Sequence, residues 1–145
     1  MILIEHKMDG PRDLSGLERD AVTLGWEERR KARQKLTTAS GVELAMALPT
    51  GSILEEGEII HRNGTSYIVV EAAKEDVLYL YPEHAEDYAL IAYEIGNRHL
   101  PLSLSRGWLA TPFEPHLEAH FKRQGVRCER RQAPFEPIRK GHSHG

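Results

Sequence analysis

Val77–Gly96 reads V-L-Y-L-Y-P-E-H-A-E-D-Y-A-L-I-A-Y-E-I-G. Its first five residues are β-branched, aromatic or aliphatic, as a strand wants. Pro82 breaks the run, and Glu83, Glu86 and Asp87 then crowd the place where a helix start favours negative charge. Ala85, Tyr88, Ala89, Ala92 and Ile95 recur at helical spacing, and Gly96 is suited to the left-handed residue that ends a helix. Downstream, Pro101–Leu104 and Gly107–Ala110 read as two short strands joined at Ser105-Arg106. Pro115 suits a helix first turn, Leu117 and Phe121 give an apolar stripe, and Gly125 stops it. Val126–Arg131 alternates apolar and charged like an edge strand. The order is β-α-β-β-α-β, the split βαβ or ferredoxin-like arrangement.

Upstream the punctuation is that of a β protein. Strands are expected over residues 2–6, 21–24, 34–38, 42–48, 58–62 and 66–71, separated by Ser40-Gly41, Pro49-Thr50-Gly51 and Glu56-Gly57. Asn63-Gly64 between two β-prone runs predicts a tight type I′ hairpin. The fold class is therefore α+β. Residues 1–73 form a β-rich sandwich or open barrel, residues 74–136 a ferredoxin-like domain, and residues 137–145 a flexible His-containing tail.

The 145 residues are 40% hydrophobic and 28% charged with a net charge of −3, which suits a globular chain and gives no reason to expect nucleic acid. No window approaches the ~20 apolar residues of a membrane span, and the apolar start is too short for a signal peptide. The single cysteine, Cys128, precludes an internal disulfide and its strand parity makes it a small packed side chain. A cytoplasmic protein is the default expectation. No phosphate-binding glycine loop and no nucleophile motif is present, so an enzyme is not expected.

Eight histidines stand out. His99 follows the helix stop, and two readings are open: it neutralises the terminal carbonyls, or it ligates a metal. A lone imidazole binds weakly, but a two-fold axis nearby would bring a second copy. His142 and His144, in G-H-S-H-G, are a short His tract of metal-binding composition. His116 and His120 lie four apart on the second helix, as a weaker metal clip; H-L-E-A-H lacks the placement of the zincin glutamate, so hydrolysis is disfavoured. His6, His61 and His84 read as structural. The basic run holding Arg29 and Arg33 is a solvated face or a docking surface for a partner, and Arg98 orders its turn or meets a partner.

Several stretches together resemble a known family. They are L-G-W-E-E-R-R-K-A-R (Leu24–Arg33), L-P-T-G (Leu48–Gly51), L-E-E-G-E (Leu54–Glu58), A-Y-E-I-G-N-R-H-L-P (Ala92–Pro101), R-Q-G-V (Arg123–Val126) and P-F-E-P (Pro134–Pro137). The chain resembles the UreE-type urease accessory proteins, which are nickel metallochaperones. The resemblance implies a homodimer that delivers Ni(2+) for assembly of the urease active site, Zn(2+) or Cu(2+) being able to occupy the same site. It implies His99 as the interface ligand, His142 and His144 as tail ligands, and as partners the urease GTPase accessory protein and the urease apoprotein complex. The alternative function is a non-catalytic protein- or RNA-binding module.

Overall fold

The computed structural model describes residues 1–8 and 13–138. The chain divides into two compact units, the first Met1–Ala73 and the second starting at Lys74.

In the first unit, β1 (Ile2–Ile4), β4 (Glu43–Ala47) and β3 (Arg33–Thr37) form one sheet, in that order. A second sheet runs β2 (Glu18–Leu24), β6 (Ser66–Ala72), β5 (Ile59–Arg62). Alternation along these strands sends one set of side chains inward. Ile4, Leu44 and Met46 from the first sheet share a core with Val22, Leu24, Ile60, Ile68 and Val70 from the second. Each such side chain, once fully buried, contributes roughly 1.5–3 kcal/mol. Both β1–β4 and β2–β6 pair in parallel.

Asp20 ties the two sheets of this unit together. It is 9% exposed, and its carboxylate accepts from Ala21 N, Ser40 N at 3.1 Å and Ser40 Oγ at 2.5 Å. Burial alone would raise its pKa; the bonds from Ser40, Thr38 and Ala21 outweigh that and hold it below the ordinary value.

The expected hairpin at Asn63-Gly64 is present, but its turn is not type I′. Neither residue takes a positive φ. Instead Asn63 Oδ1 accepts from Thr65 N and Ser66 N, both at 2.8 Å, and Arg62 pairs with Tyr67. The asparagine side chain, rather than the glycine, closes a longer loop.

The second unit is the ferredoxin-like sheet. Its elements are β7 (Glu75–Tyr81), α1 (Ala85–Asn97), β8 (Ser103–Ser105), β9 (Trp108–Pro112), α2 (Pro115–Arg123) and β10 (Arg127–Ala133). The strand order is β10-β7-β9-β8, with every pairing antiparallel. Leu78, Leu80 and Leu109 from one sheet face pack on Ile91 and Ile95 of α1 and on Leu117 and Phe121 of α2. The buried stripe of α1 is centred on Ile91 and Ile95, whereas Ala85 and Ala89 are exposed. The Tyr88 hydroxyl donates to Ser105 O and accepts from Gly107 N, which pins the β8–β9 turn to α1.

Candidate metal-presenting surface

Helix α1 does not stop at Gly96. That residue lies inside the helix, the cap falls on Arg98 (φ −92°, ψ 6°), and His99 takes the left-handed position at φ 60°. His99 N donates to Gly96 O at 2.9 Å and Leu100 N to Ile95 O at 3.3 Å, the paired bonds of a Schellman ending. The apolar contact that goes with this motif joins the residue before the bonds to the one after them. Here those are Ile95 and Leu100, and both pack on the core of the second unit. Had Gly96 been the left-handed residue, the corresponding pair would have been Ala92 and Asn97, which cannot make that contact.

His99 is the one non-glycine residue with positive φ among the described residues. Cβ crowding makes that conformation cost roughly 1–2 kcal/mol for an L-residue, though His visits it more readily than most. The side chain is exposed. The segment that follows is held by Thr111, fully buried, whose Oγ1 donates to Pro101 O at 2.8 Å.

At the same end of the unit stands the start of α2. Glu114 caps it, accepting from His116 N at 3.1 Å and Leu117 N at 2.8 Å. These bonds, the one from His116 first, hold its carboxyl below the usual range against partial burial, and the nearby His116 and Arg98 side chains add to the effect. Arg98 and His116 are both exposed. The Arg98 guanidinium makes no hydrogen bond or ion pair among the described residues, so the backbone bonds order the turn.

Of the two histidines four apart on α2, His116 is exposed and His120 is half-buried. His120 turns toward α1, with Nε2 3.4 Å from Glu94 Oε2 and its ring edge-on to Phe121. Among the described residues no three His, Cys, Asp or Glu side chains gather as a metal would need. His142 and His144 lie outside the described residues. Ile138, the last described, donates its N–H to Leu102 O at 2.7 Å, which ties that residue to the segment that follows the His99 turn. Cys128 is half-buried with Sγ donating to Val126 O, and burial raises its pKa, as expected of a packed thiol. His84 precedes α1 and donates its N–H to Asp87.

Arg29 requires a correction. It is 3% exposed, with its backbone carbonyl bonded to Leu54 N, so it forms no part of a surface offered to partners. It falls in the short 3-10 turn Glu28–Arg30, whose curl sends its side chain inward while Arg30 stays out. Arg33, on β3, is exposed.

One feature missed by the sequence reading is the outer face of α1. Leu90 is 63% exposed and Tyr93 67%, and with Ala89 and Gly96 they make an apolar strip that runs toward His99. The signal was available: both lie off the stripe that Ile91 and Ile95 define.

Fold and surface together describe a two-domain protein whose second unit carries an exposed apolar helix face ending at an exposed histidine. Two family descriptions cover nearly the whole chain: "UreE urease accessory protein, N-terminal domain" matches residues 4–73, and its C-terminal counterpart matches residues 75–145. The chain belongs to the UreE urease accessory protein family, whose members are described as accessory proteins and not as enzymes. It is 35% identical over 128 residues to a urease accessory protein UreE of Paraburkholderia xenovorans (strain LB400), covering 86% of this chain and 57% of the relative. It is 34% identical over 129 residues to proteins of the same name from Burkholderia mallei (strain SAVP1) and Burkholderia pseudomallei (strain K96243). Those alignments cover 86% of this chain and 64% and 63% of the relatives. The chain thus spans about three-fifths of the length of the curated relatives it matches. No helix among the described residues is long and apolar enough to cross a membrane.

Proposed function

We propose that this chain carries nickel for urease assembly in the cytoplasm, as a homodimer whose second unit, residues 74–136, binds the metal and dimerises. The observation that carries the reading is His99. It is an exposed imidazole held in a costly backbone conformation at the end of an exposed apolar helix face. Strain of that kind persists where the surroundings over-determine it, and it concentrates at functional positions. An exposed Leu-Tyr strip beside it is the sort of surface a second copy covers. A two-fold axis there brings two imidazoles together, a donor set suited to nickel, zinc or copper. The family's association with urease selects nickel among them.

His142 and His144 supply further imidazoles. They follow Ile138 by four and six residues, and an extended chain spans at most ~3.3–3.6 Å per residue. His144 thus has about 20 Å of reach from a residue tied to the segment that follows the His99 turn. A site with few protein ligands, closed from outside by a tail, releases its ion more readily than a four-ligand cage. His116 stands at the same end as an auxiliary donor. The first unit, residues 1–73, is the docking module for the urease GTPase accessory protein and the urease apoprotein complex, with Arg33, and Arg98 on the second unit, as contact residues. Calorimetric nickel titration of wild type, His99→Ala and His116→Ala, with mass from light scattering, tests this. The reading requires a dimer and a greater loss of affinity in His99→Ala; a monomer that binds nickel equally well without His99 overturns it.

A further inference from the structure

The sheet of the second unit turns one face to α1 and α2 and an aromatic, cationic face the other way. Side chains alternate along a strand, so Leu78, Leu80 and Leu109 meet the helices while Tyr79, Tyr81, Trp108 and Ala110 take the opposite side. Register sets Arg127 beside Tyr81 and Ser105 beside Trp108, and the pairing of Leu80 with Leu109 brings Tyr81 next to Trp108. Arg127, Tyr81, Trp108 and Ser105 thus form one row across the four strands, about 14 Å long at 4.7–4.9 Å per strand. The two rings in the middle are half-buried and the two ends are exposed.

The rings of this row are braced and its cations are unspent. The Arg127 guanidinium lies over the Tyr81 ring, 4.3 Å from its centroid, and forms no ion pair among the described residues. Tyr79 meets Trp108 edge-on, with 5.0 Å between centroids, and Arg131 covers Tyr79 at 4.7 Å. Glu129 is the carboxylate beside the row, and it is engaged: it accepts from the Tyr81 hydroxyl at 2.7 Å and from Arg131 Nε at 2.6 Å. The other carboxylate on this face, Glu75, stands at the far end of β7. Arg106 follows Ser105 in the exposed β8–β9 turn and also forms no ion pair among the described residues. A free cation therefore stands at each end of the row.

We propose that this row binds single-stranded RNA. One base stacks on the Trp108 indole and a second on the outer plane of the Arg127 guanidinium, which Tyr81 supports from beneath. Arg106 and the free N–H groups of Arg127 take phosphates, and the Ser103 and Ser105 hydroxyls on the same face are placed for ribose hydroxyls. Unpaired bases stack on aromatic rings and on guanidinium planes, and a four-stranded sheet carrying aromatics is a known platform for two or three of them. A proline-rich peptide would use the rings and leave both cations unanswered, whereas a nucleotide carries a flat base and a phosphate together. Paired bases in a duplex offer no free plane to the row. The chain's net charge of −3 supplies no general attraction, so stacking carries the affinity and only the few contacted phosphates make it salt-dependent. The inference needs no metal and does not rest on the His99 reading.

The test is fluorescence anisotropy with the full chain and four labelled probes: a short oligouridine RNA, its DNA counterpart, a duplex RNA of the same length and a proline-rich peptide. Oligouridine is expected to bind best. Trp108→Ala should weaken it about tenfold, the order of one lost stacking contact, while Trp108→Phe retains binding. Arg127→Glu and Arg106→Glu should each weaken it several-fold, and Lys35→Glu, a charge reversal in the first unit, should leave it unchanged. Oligouridine should also quench tryptophan emission in wild type and not in Trp108→Phe. Arg127 and Arg106 are exposed, so their variants test the row even if Trp108→Ala melts early, and a melting curve of each variant checks the fold. The proposal is overturned if oligouridine does not bind, if both arginine variants bind it as wild type does, if its binding leaves tryptophan emission unchanged, or if the DNA, the duplex or the peptide binds as tightly.

Discussion

Replacing His99 with glycine separates its two roles, because the backbone and the side chain are expected to respond in opposite directions. Relieving the left-handed strain recovers roughly 1–2 kcal/mol. The extra freedom of glycine in the unfolded chain takes back roughly 0.5–1 kcal/mol. Because His tolerates this conformation better than most residues, the lower end applies, leaving a net gain of about 0.5 kcal/mol. The exposed imidazole gives up little packing. For a unit of this size 1 kcal/mol moves Tm by about 4–8 °C, so metal-free His99→Gly should melt about 2–4 °C above wild type. With nickel the order reverses. A ligand at a hundred times its Kd adds about 2.7 kcal/mol to the folded state, and the variant should lose most of that. Differential scanning calorimetry in chelator and then in nickel reads both effects, with His99→Ala as the control that loses the ligand and keeps the strain. If metal-free His99→Gly melts no higher than His99→Ala, the strained ending is not a feature of the protein; if nickel stabilises His99→Gly as much as wild type, the imidazole is not a ligand.

Changing Leu90 and Tyr93 together to aspartate should yield a monomer by analytical ultracentrifugation, with weaker nickel binding; an intact dimer would clear α1 of any part in self-association. Phe121→Ala removes a fully buried ring from the core of the second unit and should cost about 3–5 kcal/mol in denaturant melts. For Asp20 the folded pKa lies below the unfolded one, so its stabilising effect is present above the unfolded value and is lost as pH falls through the folded value. Denaturant midpoints of the first unit should therefore drop below about pH 4. Asp20→Asn should cost about 2 kcal/mol at neutral pH and flatten that dependence, and an unaltered acid profile would show that the Ser40 bonds are not its source.

The split βαβ order was readable because each of its signals is local: the Val77–Tyr81 run, the acidic turn after Pro82, Pro115 at the start of α2. Pairing partners were not. Hydrophobic period states that Ile2–Ile4 is extended but not that it joins Leu44 in parallel, since partner choice is settled by closure of the core. The end of α1 was misplaced because glycine preference is a weaker determinant than the apolar contact of Ile95 and Leu100 with the core. The five-residue spacing of those two side chains was visible and would have pointed to His99. Arg29 was assigned to the surface on charge alone, which carries no information about the direction of a short 3-10 turn. Glu114 escaped notice as a cap because Ser, Thr, Asp and Asn are the usual signals there.

The two parallel pairings of the first unit bear on how the chain is made. Glu18–Leu24 finds its neighbour only in Ser66–Ala72, so the sandwich cannot close until that last strand has left the ribosome. Until then Val22 and Leu24 wait without a partner strand, and a nascent chain stalled near residue 60 should be open to proteases. Synthesis of the second unit begins as that vulnerability ends.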